Sequence, residues 1–265
     1  MIMTGIILAV LVVGATGCLI GFFLTLSARK FYVEVDEREE AVTEALPGNN
    51  CGGCGYAGCS SLAKAIVNGE APVSQCPVGG EPVALEISKI MGVEASLDEK
   101  KVAFVHCNGD CEKASTKYIY NGAEDCTTIK STPGGGPKTC NYGCLGGGSC
   151  TTVCEFDAIH IVNGIAKVDK ERCKACSKCV DVCPNHLISL IPYSAKTEVF
   201  CSSKDKGKIV MNACKSGCIG CRICEKNCPN KAVTVVDNLA VIDHDKCDGC
   251  GICAEKCPKK AIAFV

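Results

Sequence analysis

The sequence predicts an α+β chain in which one N-terminal helix precedes small cysteine-rich modules in tandem. Three observations carry this prediction. An uncharged apolar run opens the chain. Most of the 26 cysteines of its 265 residues fall in tight groups. The second half of the chain repeats its own cysteine pattern at a fixed offset of 74 residues.

The apolar run covers Ile2 to Leu26 and contains no charged residue. As a helix it is long enough to cross a hydrocarbon layer. A cleaved signal peptide would show a basic start, a shorter apolar stretch and a small-x-small exit, and none is clear here. Arg29 and Lys30 follow the run, and the positive-inside bias then leaves the bulk of the chain on the cytoplasmic side of a cell membrane, anchored by a single pass. Cys18, inside the run, reads as a small packing residue.

The next segment is acidic, with twelve acids against three bases over residues 31–99. Asp36 to Leu46 fits a short surface helix, ended by Pro47-Gly48. Cys51, Cys54 and Cys59 follow among glycines, and Cys76-Pro77 comes after an expected helix at Ser61–Asn68. Four thiols separated by glycines suit an iron–sulfur cluster, because glycine lets backbone N–H groups approach the sulfurs. Lys101–Val105 reads as a strand, and Thr132–Pro137 as a linker.

The repeat then begins. Cys218, Cys221, Cys224 and Cys228 read C-x2-C-x2-C-x3-C with Pro229 next, and Cys247, Cys250, Cys253, Cys257 and Pro258 read the same. Each such run holds one [4Fe–4S] cluster, with its fourth cysteine crossing to the other cluster. Seventy-four residues earlier, Cys144, Cys150, Cys154, Cys173, Cys176, Cys179 and Cys183 match, and Cys140 matches Cys214. One ligand is lost, since Gly147 stands opposite Cys221. Within each copy, strands flank a tight turn, Asn163-Gly164 in the first and Asp237-Asn238 in the second. Leu187–Ile191 and Ala261–Val265 read as closing strands.

Cys140–Pro192 and Cys218–Val265 resemble two-cluster ferredoxin domains. The stretch from Leu46 to Pro77 resembles the small four-Cys cluster domain of membrane electron-transfer subunits and corrinoid proteins. An apolar span, that domain and then ferredoxin repeats is an order similar to the B subunits of Rnf complexes, and the resemblance covers the whole chain. It implies a membrane-anchored relay that accepts electrons from reduced ferredoxin. The complex it would serve couples ferredoxin:NAD electron transfer to sodium-ion or proton translocation. Its partners would be the other membrane and flavin-containing subunits. The alternative is a polyferredoxin subunit of another membrane redox enzyme, of hydrogenase or formate dehydrogenase type. A zinc-structural or metal-storage protein is a third reading, and a secreted disulfide scaffold does not fit cysteines in cluster register.

The expected division is an anchor at 1–27, a four-Cys [4Fe–4S] domain at 28–95, a cysteine-containing connecting segment at 96–138, a first two-cluster domain at 139–193, a connector at 194–212 and a second two-cluster domain at 213–265. Five clusters are expected. The first takes Cys51, Cys54, Cys59 and Cys76. In the last domain Cys218, Cys221, Cys224 and Cys257 form one set, and Cys247, Cys250, Cys253 and Cys228 the other. In the first domain Cys173, Cys176 and Cys179 take Cys154. Cys144, Cys150 and Cys183 lack the ligand lost at Gly147, and Cys140 is the nearest spare thiol. The rival is a three-thiolate site with an open iron corner. Against Cys140 stands its equivalence to Cys214, in a copy that already has four ligands. Cys107, Cys111, Cys126, Cys201 and Cys214 then remain for a sixth cluster or as ordinary buried thiols, an alternative the sequence leaves open.

The net charge of −1 decides little, but residues 204–231 carry seven bases and two acids. This is either a face that steers an acidic redox partner or a solvated loop. Nucleic-acid binding does not fit, because the bases are not interleaved with stacking aromatics. No G-x-G-x-x-G loop follows a strand, so no dinucleotide site is expected. The four histidines are scattered, and no acid–base constellation appears.

Overall fold

The computed structural model describes residues 2–30, 36–95 and 99–265, with side chains placed from residue 11 onward apart from residues 28 and 29. Ile2–Lys30 is helix α1, 29 residues long. Its threonines satisfy their own hydroxyls: Thr16 Oγ1 donates to Val12 O at 2.9 Å and Thr25 Oγ1 to Gly21 O at 2.8 Å. Leu11, Phe22, Phe23 and Leu24 stand exposed. Among the described residues no helix is long and apolar enough to cross a membrane. The side chains of residues 2–10, which open the expected span, lie outside the described ones.

Three short helices build the next unit. Helix α2, Glu37–Ala45, starts where the Asp36 carboxylate accepts the Arg38 N–H at 2.9 Å and stops at Leu46, before Pro47. Helix α3 is Cys59–Val67. Helix α4, Gly80–Met91, ends on Gly92 in the left-handed region, φ 67°. Their shared core is Val42, Leu62, Ile66 and Ile87, all at 2% exposure or less. Truncating Leu62 to Ala there would cost about 2–5 kcal/mol.

The two repeats are built alike. Strand β1, Lys101–Val105, lies in the segment expected only to connect. Next come helix α5, Cys126–Ser131, and helix α6, Ser149–Thr152. Strands β2, Ile159–Val162, and β3, Ile165–Val168, form the first hairpin; then come helix α7, Lys178–Val182, and strand β4, Ile188–Pro192. The second repeat contains strand β5, Thr197–Val199, helix α8, Gly207–Ala213, and helix α9, Ile223–Asn227. Strands β6, Val233–Val236, and β7, Leu239–Ile242, form its hairpin, and helix α10, Ile252–Glu255, and strand β8, Ile262–Phe264, close it.

The hairpins stand where the sequence put them. Asn163 and Gly164 have φ of 49° and 72°, and Asp237 and Asn238 have 49° and 64°. Two positive φ values in a two-residue loop match the right-handed twist of the flanking strands. The closing strands are not paired to their own hairpins. Strand β4 pairs antiparallel with β1, Val102 facing Ile191, and β8 pairs antiparallel with β5, Val199 facing Ile262. The segments read as connectors thus supply the strand that completes each unit. Apolar residues of both sheets in a repeat meet in one core: Val102, Ile159, Ile165 and Ile188 in the first, Val199, Val233, Ile242 and Ile262 in the second.

Candidate iron–sulfur centres

The cysteine loops share one backbone device. In each repeat two Cys-containing loops end with the cysteine Sγ accepting the N–H four residues on. Ala158 N to Cys154 and Leu187 N to Cys183 are 3.4 Å, and Ala232 N to Cys228 and Ala261 N to Cys257 are 3.3 Å. The residue just before each donor lies in the left-handed region: Asp157 at 48°, His186 at 50°, Lys231 at 52° and Lys260 at 48°. That turn aims the following N–H back at sulfur. A main-chain donor aimed at sulfur favours the charged thiolate, which is how outer-shell hydrogen bonds tune a cluster.

Four thiols line each of several cavities. Cys218, Cys221, Cys224 and Cys257 share one with Val235, Ala240 and Ile262. Cys154, Cys173, Cys176 and Cys179 share another, where Cys173 Sγ also accepts Ala103 N from β1 at 3.3 Å. Cys228 and Cys247 lie close enough to Cys253 to raise its thiol further after burial, and Cys54 and Cys59 act likewise on Cys76. Burial pushes Cys224 up to about 11 and Cys179 to about 12. These thiols therefore stay protonated until a metal displaces the proton. Among the described residues no three His, Cys, Asp or Glu side chains converge on a single-ion site. The thiols are instead spread around apolar cavities, the soft donor set that suits an iron–sulfur group.

At the site of the missing ligand the structure differs from the expectation. Cys144, Cys150 and Cys183 share their cavity with Cys126, and Cys140 lines a separate one. The reason is steric. A Cβ on Gly147 would lie 2.9 Å from Asp125 C and Cys126 N and 2.7 Å from Ile129 Cδ1. The start of α5 fills the room that a side chain at 147 would need, and it brings its own cysteine. Asp125 caps that helix, accepting Thr128 N at 2.7 Å, while Ser149 Oγ accepts Cys126 N at 2.8 Å and donates to Asp125 at 2.9 Å. Burial pushes Cys150 up to about 12, with Cys144, Cys126 and Cys183 adding to it.

The five cysteines set aside for an extra cluster do not gather as a set. Cys126 joins the group just described, and Cys111 is exposed. Cys107, Cys201 and Cys214 line one cavity, and its fourth thiol is Cys140. Two histidines have partners the sequence did not signal. His244 Nε2 lies 2.7 Å from the buried Glu198 carboxylate, and His106 bridges Val199 O at 2.9 Å and Ser189 Oγ at 2.7 Å.

One backbone contact and two electrostatic influences link neighbouring groups. A Cβ on Gly53 would lie 2.9 Å from Cys176 Cα and O, so the first loop packs on backbone of the next group. Cys51 is near enough to raise the Cys176 thiol, after the larger effect of burial. Cys179 likewise acts on Cys150.

Repeated four-thiol cavities on ferredoxin-like α+β units define a multi-cluster iron–sulfur protein. Residues 46–78 match the family described as a putative Fe-S cluster domain, residues 166–189 a 4Fe-4S binding domain, and residues 217–262 a 4Fe-4S dicluster domain. The chain is 44% identical over 245 residues to the B subunit of the Na(+)-translocating ferredoxin:NAD(+) oxidoreductase complex of Acetobacterium woodii, covering 92% of this chain and 73% of the relative. It is 41% identical to the B subunit of the ion-translocating oxidoreductase complex of Methanosarcina acetivorans, over 90% of each chain. It is 40% identical to the B subunit of the proton-translocating ferredoxin:NAD(+) oxidoreductase complex of Clostridium ljungdahlii, over 91% of this chain and 85% of the relative. The chain belongs to the family of B subunits of ion-translocating oxidoreductase complexes, the Rnf type.

Proposed function

We propose that this chain is the iron–sulfur electron-transfer subunit of an ion-translocating ferredoxin:NAD oxidoreductase. It accepts electrons from reduced ferredoxin and relays them toward the other subunits. Bound [4Fe–4S] groups would supply single-electron exchange. The protein's own residues hold those groups and set their charge environment. The observation that supports this reading is the recurrence of four-thiol cavities through both repeats.

Three of the five proposed sets line cavities, one follows from the crossing rule, and the Cys51–Cys76 set follows from its spacing. The five are Cys51, Cys54, Cys59 and Cys76; Cys154, Cys173, Cys176 and Cys179; Cys126, Cys144, Cys150 and Cys183; Cys218, Cys221, Cys224 and Cys257; and Cys228, Cys247, Cys250 and Cys253. The exposed apolar face of α1 supports a membrane anchor, with the thiol modules on the cytoplasmic side, where thiols stay reduced. Whether sodium or protons are moved is a property of the partner subunits.

Purification of the complex from membranes under anaerobic conditions tests this. Flavin- and nicotinamide-binding partners should co-purify, and reduced ferredoxin should bleach the brown chromophore of this subunit. Co-purification with a nickel or molybdenum subunit would sink the assignment. Removing residues 1–27 should give a coloured protein that no longer sediments with lipid vesicles; retained binding would place the anchor elsewhere.

A further inference from the structure

Cys140 and Cys214 are equivalent under the repeat, yet neither is needed by the sets above. Cys107 and Cys201 are likewise not needed by those sets; they stand 94 residues apart, outside the 74-residue offset, and correspond by position in the fold. Cys107 lies two residues beyond the end of β1 and Cys201 two residues beyond the end of β5. These are corresponding places, since β1 and β5 each pair with the closing strand of one repeat. All four thiols line one cavity. Each repeat thus contributes a matched pair to its wall.

The match extends to the donors. Cys107 Sγ accepts the N–H of Cys144 at 3.3 Å, and Cys201 Sγ accepts the N–H of Cys218 at 3.3 Å. Those donors belong to cysteines of the adjoining groups, one in each repeat. Backbone bonds clamp the two halves around the cavity: Asn108 N to Phe200 O at 3.1 Å, Ser115 N to Ala213 O at 3.0 Å and Lys215 N to Lys113 O at 2.9 Å. Lys138, 7% exposed, also lines the cavity, and its Nζ donates to Gly109 O at 2.8 Å and Gly164 O at 2.9 Å. No carboxylate is among those partners, so its charge stands beside the sulfurs as counter-charge. Ordinary buried thiols need neither paired N–H donors nor a buried cation.

We propose that Cys107, Cys140, Cys201 and Cys214 hold a sixth [4Fe–4S] cluster at the junction of the two repeats. The site rests on the iron–sulfur reading above and extends it: it joins two two-cluster units into one continuous series. Any electron crossing it would leave one adjoining group oxidised and the other reduced, with no other reactant.

Iron and sulfide counts on the anaerobically prepared full chain test it. The site predicts about 24 irons per chain, four for each cubane. Cys140→Ala and Cys201→Ala should each remove about four irons, and Cys126→Ala combined with Cys140→Ala about eight. Cys111→Ala should remove none. A wild-type count of about 20 overturns the sixth site even where a variant fails to fold, and leaves the other five standing. Zinc in place of the last four irons overturns it too. A protein without iron would instead overturn the underlying reading.

Discussion

The two repeats bring four thiols to a cavity in two ways. In the second, Cys221 sits in the loop between Cys218 and Cys224, and the local run supplies three thiols by itself. In the first, Gly147 takes the place of that cysteine, and the fourth thiol, Cys126, comes from a helix lying earlier in the chain. The difference teaches that what is kept is a thiol at a point in space, not at a point in the sequence. A ligand recruited from afar also ties its segment down. On the proposed ligand set, Cys126 makes helix α5 part of the metal-dependent fold.

The strongest way to break this comparison is to remove each fourth thiol. Cys126→Ala and Cys221→Ala should each lose about four irons. Cys126→Ala should in addition loosen α5, seen as faster amide exchange at Cys126–Ser131, while Cys221→Ala should leave that helix protected. Equal exchange in both variants would mean the recruited ligand is not what holds α5. A middle-sized effect should come from Gly147→Ala. Its Cβ would press on backbone at Asp125 and Cys126, and overpacking of this kind costs about 1–3 kcal/mol. The matched change Cys221→Ala creates no such clash, so a thermal melt separates crowding from ligand loss. Asp125→Ala removes the cap of α5 and should cost about 1 kcal/mol, in the first repeat alone. The smallest effect should come from Lys231→Gly and Lys260→Gly, which place glycine at φ near 50° and should relieve up to about 1 kcal/mol each. Unchanged or lower melting points would show that the side chains contribute more than the strain they carry.

Much of this architecture is legible in the sequence. Cysteine spacing names the cluster runs, and Asn163-Gly164 and Asp237-Asn238 announce the hairpins. The repeat offset is itself the clue to the junction cavity: Cys140 matched Cys214, and both were surplus. What the sequence could not supply is distance. Cys126 and Cys140 are both spare thiols preceding Gly147, and linear proximity favours Cys140. Only the three-dimensional path of α5 shows which one reaches the gap. Strands β1 and β5 escaped their modules for the same reason, because each partner strand lies more than sixty residues further along the chain. In helix α4 the local signal is the Gly92 that ends it. The histidine partners carried no local signal at all, since the Glu198 and Ser189 that meet them are set by sheet pairing.

Gly53 rests on the main chain of Cys176, and nothing larger fits between them. Quantum tunnelling weakens exponentially as a gap widens. A methyl group inserted there would press on Cys176 itself, a thiol of the neighbouring proposed set, so it would both widen the gap and shift a ligand at its edge.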